Sequence, residues 1–382
     1  MKGPGPSGPV WLRKGLLGIS QAYAVGIRLR SLFYDHRVFT VKQLPCVVIS
    51  VGNVTVGGTG KTPMTIYLAE MLTHAGFRIV VLSRGYGGRA ENTGGMVSDG
   101  QQILMTADDC GDEPYMMARR LETVPVVVGK DRFRSGMMAV RRFRPHVILL
   151  DDAFQHRRLA RDLDLVLLDA AHPFGNGHLL PRGILREPRT SLGRGHAVVF
   201  TRTPETGLPL AGDLRRLIQS KPVFYADHRP KIVHIISADS QRNTEAAKLS
   251  LDKDLSFLKG RQALAFSGIA RNQDFFEILR AAACQLVDEA GFPDHHRYAR
   301  NDIRQIQRSA QNRHADCLVT TEKDYRRMPP GVHWERDLVV VGVDMTFNDK
   351  AFDRFIMDKV ASQIQKAGMT ENSSHGSEKR DG

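Results

Sequence analysis

The chain has 382 residues, 42% of them hydrophobic and 25% charged, which is enough for a sizeable core and for two or three domains. The net charge is +13, an excess that suits nucleic acid, an anionic membrane surface or a phosphorylated substrate. Four scattered cysteines with no CxxC pair exclude a disulfide framework or a zinc site and fit a reducing compartment.

Residues 1–9 are rich in Gly and Pro and cannot hold regular structure. The apolar stretch at 15–27 contains Ser20 and Gln21 and runs into Arg28 and Arg30. It lacks a small-residue cleavage site and falls short of the roughly 20 apolar residues that span a bilayer. At helical spacing Leu12, Leu16, Ile19, Tyr23 and Ile27 share a stripe. That pattern fits a helix lying on a membrane surface, and equally a helix docked on the protein's own core. Residues 1–42 hold seven Lys or Arg against one acid, Asp35, which favours the membrane. The basic residues gather at this end without aromatic interleaving, so no nucleic-acid partner is expected.

Alternating elements follow. Strands are expected at 44–51, 78–83, 124–128, 147–150, 163–168 and 197–201, with helices at 62–74 and 132–143. Strands apolar on both faces that alternate with helices argue a mostly parallel α/β sheet. A second block has strands at 232–236, 263–266, 318–320 and 338–343, with helices at 274–283, 302–312 and 352–364. The expected division is a start and interfacial helix at 1–35, a nucleotide-binding domain at 36–225, a smaller α/β domain at 226–365 and a disordered tail at 366–382.

Residues 47–63 read as a buried strand, a glycine loop and a helix start. The loop is Thr55-Val56-Gly57-Gly58-Thr59-Gly60-Lys61-Thr62, a GGxGKT variant of the P-loop with Thr55 where the strict pattern needs glycine. Glycines let backbone N–H groups converge on phosphate oxygens, and the helix N-terminus faces the anion. Lys61 suits the β/γ-phosphates and the Thr62 hydroxyl suits Mg²⁺. The fold class expected is therefore α/β, a P-loop NTPase-like sheet flanked by helices, with a second smaller α/β domain and an N-terminal amphipathic helix.

A P-loop enzyme needs a carboxylate at a nearby strand end, and Asp151-Asp152 closes the strand at 147–150. Neighbouring side chains of an extended chain point opposite ways, so one acid can face the metal while the other braces the loop. Asp112 is a candidate general base and Glu113 a candidate metal ligand, although helix N-terminal acids also account for the pair. The pair His295-His296 beside Asp294 could tune a base near neutral pH or lie at the surface. Residues 320–324 could line a cleft or form a turn. Arg84, Arg132 and Arg186 suit phosphate clamping or structural ion pairs.

Together these segments resemble the tetraacyldisaccharide 4′-kinase family, the lipid A 4′-kinases of Gram-negative bacteria. The carriers are the glycine loop, Ser83-Arg84-Gly85-Tyr86-Gly87, Gly111-Asp112-Glu113-Pro114, Asp151-Asp152 with Phe154-Gln155-His156, Leu185-Arg186-Glu187-Pro188, Asp294-His295-His296 and Thr320-Thr321-Glu322-Lys323-Asp324, in family order. The resemblance implies transfer of the ATP γ-phosphoryl group to the 4′-hydroxyl of a tetraacylated glucosamine disaccharide 1-phosphate. It implies Lys61 and Thr62 at phosphate and Mg²⁺, with Glu113, Asp152 and Gln155 around the metal. It pairs Asp112 with His295 to activate the sugar hydroxyl, and it places Arg132 and Arg186 at phosphates. It implies an N-terminal helix on the inner membrane, and the protein is expected to be a monomer, peripheral on the cytoplasmic face of that membrane. Ala153, where glycine is usual, and Ala270-Arg271-Asn272, in place of a proline-containing stretch, depart from the pattern. A rival reading, a membrane-surface partitioning ATPase, shares the GGxGKT loop but has lysine where Val56 stands.

Overall fold

The computed structural model describes residues 10–203, 212–238 and 254–374, with side chains of 15–366 within those ranges. Residues 1–9 and 375–382, expected to be irregular, lie outside the described residues, as does the side chain of Leu12. The chain divides into two compact units, Met1–Asp227 with Met345–Gly382, and His228–Asp344.

The first unit begins with helix α1 (Val10–Asp35). Strand β1 (Val47–Asn53) is buried along its whole length, as a central parallel strand requires. Helix α2 (Lys61–His74) follows, capped at its C-terminal end by Gly76 at φ +88°. Then come β2 (Ile79–Ser83), β3 (Gly95–Ser98), the single turn α3 (Ala107–Cys110) and α4 (Asp112–Arg120). The chain continues through β4 (Val126–Val128), α5 (Arg132–Phe143), β5 (Val147–Asp151), β6 (Leu163–Asp169) and β7 (Ala197–Thr201). Helix α6 (Gly212–Ile218) leads into β8 (Val223–Ile236), which crosses into the second unit.

The strand order in the first unit is β8-β7-β6-β1-β5-β2-β4-β3, parallel except for the β3–β4 edge pair. The chain leaves β1 towards β2 on one side, and β5 is followed by β6 on the other. This order makes the C-terminal end of β1 a topological switch point, where ligands bind in open α/β sheets.

The second unit orders its strands β10-β9-β11-β12-β8: β9 (Gln262–Ser267), β10 (Gln285–Gly291), β11 (Cys317–Thr321) and β12 (Asp337–Phe347). Alternate residues of β9 and β11 bury on opposite faces. Ala263, Ala265, Cys317 and Val319 pack with α7 (Asn272–Ala281), and Leu264, Phe266 and Leu318 with α8 (Arg300–Asn312). The short helix α9 (Glu322–Tyr325) occupies the stretch weighed as a cleft wall or a turn.

Three expectations change. The last helix, α10 (Ala351–Ser374), was assigned to the smaller domain, yet Phe352, Ile356 and Val360 bury in the first unit's core with Ile49, Leu68 and Leu149. Tyr67 donates to Asp353, and Phe347 stacks on Phe352 with centroids 4.1 Å apart. The last helix thus returns to the first unit because its apolar stripe matches that core. The stretch 366–374 is helical in backbone, not irregular. The expected single stripe on α1 separates into two faces. Ser20 is buried and Tyr23, Ile27 and Tyr34 half-buried, whereas Ile19, Val25, Leu29, Leu32 and Phe33 are exposed.

Candidate active site

Strands β1 and β5 run parallel, with Val51 opposite Asp151, so their following loops leave the same sheet edge. One loop is the glycine loop and the other begins at Asp152. The approach is close. A Cβ on Gly52 would lie 2.5 Å from Phe154 Cβ and 2.6 Å from Phe154 N. The Ala153 amide donates to Val51 O at 3.2 Å, and Gln155 Nε2 donates to Asn53 O at 2.8 Å.

The glycine loop is braced from inside. Asn53, fully buried, donates through Nδ2 to Thr59 Oγ1 at 2.9 Å and to Thr55 Oγ1 at 3.5 Å. Thr201 Oγ1 at the end of β7 donates to Thr59 O at 3.1 Å. Gly57 turns at φ +119° and Gly60 at φ +83°. A Cβ on Gly57 would meet nothing within 4 Å, so this stretch of backbone borders open space. The amides of Lys61 and Thr62 are first-turn donors with no intrahelical acceptor, and Pro63 has no N–H to leave unpaired. The expected contribution of Val56 narrows: its amide is committed to Ile184 O at 2.7 Å, and Thr55 forms a bridge with Leu185.

That bridge places Arg186. Its amide donates to Val54 O at 2.8 Å, so residues 184–186 run antiparallel beside 54–56. The Arg186 guanidinium then reaches both oxygens of Asp152, at 2.9 and 3.0 Å. Lys61 Nζ lies 3.7 Å from Asp152 Oδ1 and 3.5 Å from Gly57 O. Asp152 sits at φ +48°, turned out of the strand. Burial acts upward on its carboxyl, but Lys61 and Arg186 outweigh burial and hold it below the usual carboxylate range.

Asp151, the last residue of β5, stays in the strand and turns towards α2. It is 1% exposed and accepts from Thr65 Oγ1 on α2 at 3.1 Å. Burial, then repulsion from Glu113 and Asp152, pushes its carboxyl up. Asp152 is thus the acid of the pair that faces the lysine, while Asp151 braces the strand end against α2.

Asp112 and Glu113 open α4, both half-buried, in the first turn where the helix dipole favours acids. Their position is set by glycines. A Cβ on Gly88 would lie 2.5 Å from Asp109 O, and Gly111, at φ +90°, has Tyr86 O 2.8 Å from a Cβ position. The turn at 83–88 therefore packs directly on the entry to α4. Arg84 in that turn pairs with Glu91 at 2.7 Å. Arg132, 3% exposed, starts α5 behind the Asp131 cap and donates to Gly129 O. Burial lowers its guanidinium to about 10, with Asp151 and Asp152 acting upward, so it stays charged at neutral pH.

His295 belongs to the second unit, at φ +64°, where Arg327 Nη2 donates to its Nδ1 at 2.9 Å. Arg327 also donates to Gly268 O at 3.1 Å, and the buried Asp324 accepts from Gly268 N at 3.0 Å. Asp324 and Arg327 therefore hold the loop that carries His295. His296 pairs with Asp302 at 3.0 Å.

The sequence pattern assigns no role to Asn53, Thr65, Thr201 or the ion pair of Arg202 with Asp169 at 2.9 Å. The acid closing β6 carried the same signal as Asp151, an apolar strand ending in a carboxylate. Among the described residues no three His, Cys, Asp or Glu gather to hold a metal ion by themselves. A hard, all-oxygen set of one hydroxyl and one or two carboxylates fits Mg²⁺ bound jointly with phosphates.

The family described as tetraacyldisaccharide-1-P 4′-kinase matches residues 12–361. A tetraacyldisaccharide 4′-kinase of Desulfatibacillum aliphaticivorans is 41% identical over 343 residues, covering 90% of this chain and 91% of the relative. The one from Syntrophus aciditrophicus (strain SB) is 40% identical over 347 residues, covering 88% and 90%. The crystal structure of LpxK from Aquifex aeolicus, an "apo" form in complex with ATP, superposes with a TM-score of 0.70 at 29% identity, covering 91% of this chain and 99% of that one. With the glycine loop, the acidic pair and the arginine paired to Asp152 all inside the matched span, the chain belongs to the tetraacyldisaccharide 4′-kinase family.

Proposed function

We infer that this chain transfers the γ-phosphoryl group of ATP to the 4′-hydroxyl of a tetraacylated glucosamine disaccharide 1-phosphate, a step of lipid A biosynthesis. The observation that carries the reading is the Lys61–Asp152–Arg186 cluster at the mouth of the glycine loop, in a chain of this family. The transfer needs positioning and charge stabilisation more than covalent chemistry.

In the reading we favour, the amides of residues 57–62 and Lys61 hold the ATP phosphates. Thr62 and Asp152, with Glu113 and Gln155 nearby in role, would hold Mg²⁺, which when bound neutralises charge on the transferring phosphoryl group. Asp151 supports this set from behind. Arg132 and Arg186 face the phosphates as fixed cations. Asp112 accepts the proton of the attacking hydroxyl as its oxygen bonds to the γ-phosphorus and ADP leaves. A separate proton-handling role is proposed for His295. With Arg327 donating to Nδ1, the neutral ring carries its proton on Nε2 and acts as a donor there.

Substitution of Asp112 by Ala tests the base. Turnover is lost while binding of a non-hydrolysable ATP analogue survives; full activity in the variant removes the assignment.

The acceptor is a lipid, and the outer face of α1 supports peripheral binding to an anionic membrane surface. Ile19, Val25, Leu29, Leu32 and Phe33 are exposed beside the exposed Arg28, and Val38, Phe39 and Val41 continue the apolar surface. No described helix is long and apolar enough to cross a membrane. ATP as donor puts the working surface on the cytoplasmic face of the inner membrane. All proposed roles fall on one chain, which supports a monomer. Flotation with anionic vesicles tests the surface reading, since Leu29→Ser with Phe33→Ser releases the protein.

A further inference from the structure

We propose that Tyr23 and Arg30 of α1 are positioning residues for the phosphoryl-transfer site, holding the backbones of Arg186 and Gln155. Tyr23 Oη donates to Arg186 O at 3.0 Å, and Arg30 Nη2 donates to Gln155 O at 2.7 Å. Spacings of three and four residues put Ser20, Tyr23, Ile27, Arg30, Ser31 and Tyr34 on one helical face. The face is fixed at both ends: Ser20 Oγ donates to Leu179 O at 2.9 Å, and Arg157 donates to Ser31 Oγ at 2.8 Å and Asp35 Oδ1 at 2.6 Å.

The two contacted residues have something in common. Arg186 is tied to the glycine loop through its amide on Val54 O and to Asp152 through its side chain. Gln155 is tied to the end of β1 through its amide group on Asn53 O. In both residues the backbone carbonyl accepts from α1, and that of Gln155 also accepts from Arg157 N at 3.0 Å. Each is thus a bridge with the nucleotide loop on one side and the helix on the other. A helix serving only as an anchor would need no such link, because its opposite, apolar face supplies the lipid contact. Here a displacement of α1 reaches the Asp152 clamp through one hydrogen bond at Tyr23 and the acidic turn through another at Arg30.

The inference rests on the lipid-sugar kinase reading, and one experiment separates the two. Steady-state transfer is measured in mixed micelles with acceptor surface concentration and ATP varied independently. Tyr23→Phe lowers kcat roughly fivefold, the scale of one lost hydrogen bond, and Arg30→Met by at least as much because its donor is charged. The acceptor KM stays within about twofold, and Arg30→Lys recovers part of the loss. The outer-face pair Leu29→Ser and Phe33→Ser does the opposite, raising acceptor KM at unchanged kcat. Melting midpoints of all variants are recorded alongside. Inner-face variants that raise acceptor KM and keep kcat mean an anchor alone, and overturn the proposal. So does a kcat loss that the outer-face variants share equally. Wild-type protein that transfers no phosphate sinks the kinase reading itself.

Discussion

Gly52 is the tightest point between β1 and the acidic turn. In Gly52→Ala the new methyl group would stand 2.5 Å from Phe154 Cβ, 2.6 Å from Phe154 N and 3.1 Å from Phe154 Cα. Two of these atoms are backbone and cannot rotate away. Ordinary contact requires about an ångström more, so strand and turn must part. Overpacking of this kind costs about 1–3 kcal/mol. The two bonds that span the gap, Ala153 N to Val51 O and Gln155 Nε2 to Asn53 O, contribute about 1 kcal/mol each. The variant should lose about 3–5 kcal/mol, or roughly 6–20 °C of melting midpoint. Asp152 moves with the turn, so ATP turnover falls further than stability alone explains. The assay is thermal unfolding with and without an ATP analogue, beside Gly18→Ala on α1, where a Cβ meets nothing within 4 Å. That control should hold or gain up to about 1 kcal/mol. A Gly52→Ala midpoint within about 1 °C of wild type would refute the close-approach argument.

Other outcomes follow from the same geometry. Thr201→Val removes the donor to Thr59 O and should raise KM for ATP roughly fivefold with kcat retained; an unchanged KM would show that β7 does not brace the loop. Lys61→Met removes the cation 3.7 Å from Asp152 and should lower kcat on the order of 10²–10³, and a loss under tenfold would contradict its phosphate role. Burial, then repulsion from Arg132 and Arg161, lowers His156 from 6.5 to about 4. Between those values the unfolded chain binds the proton and the folded chain does not, so this contribution rises with pH and is lost as pH falls through the window. Urea unfolding of His156→Asn across that range should show a flatter acid limb, and an identical slope would remove His156 as its source.

Much of the fold was legible where local chemistry decides it. Helix α5 begins and ends where the sequence places it, because Asp131 caps its first turn and Arg144 leaves it in the left-handed region. The central strands read clearly because both faces are buried. The edges did not. Strand β3 is four residues with two half-buried, and β10 carries Asp288 and Glu289 on a sheet edge where polar side chains cost little. The placement of α10 in the first unit depends on which core accepts Phe352 and Ile356, which no local pattern states. At the site, the glycine loop and Asp151-Asp152 stood out by spacing. Which acid turns outward was settled only by Thr65 and by the turn at φ +48°. Asn53 and Thr201 stayed hidden because their partners are the loop's own oxygen atoms, brought near by the sheet.

The most direct test of the central claim is to incubate the purified protein with ATP labelled in its γ-phosphate and the tetraacyldisaccharide 1-phosphate, then locate the label. The account predicts one labelled phosphate on the 4′-oxygen for each ADP formed, lost on chelation of divalent cations and absent in Asp112→Ala. ATP hydrolysis with no labelled lipid, or label at any other position of the sugar, would contradict it.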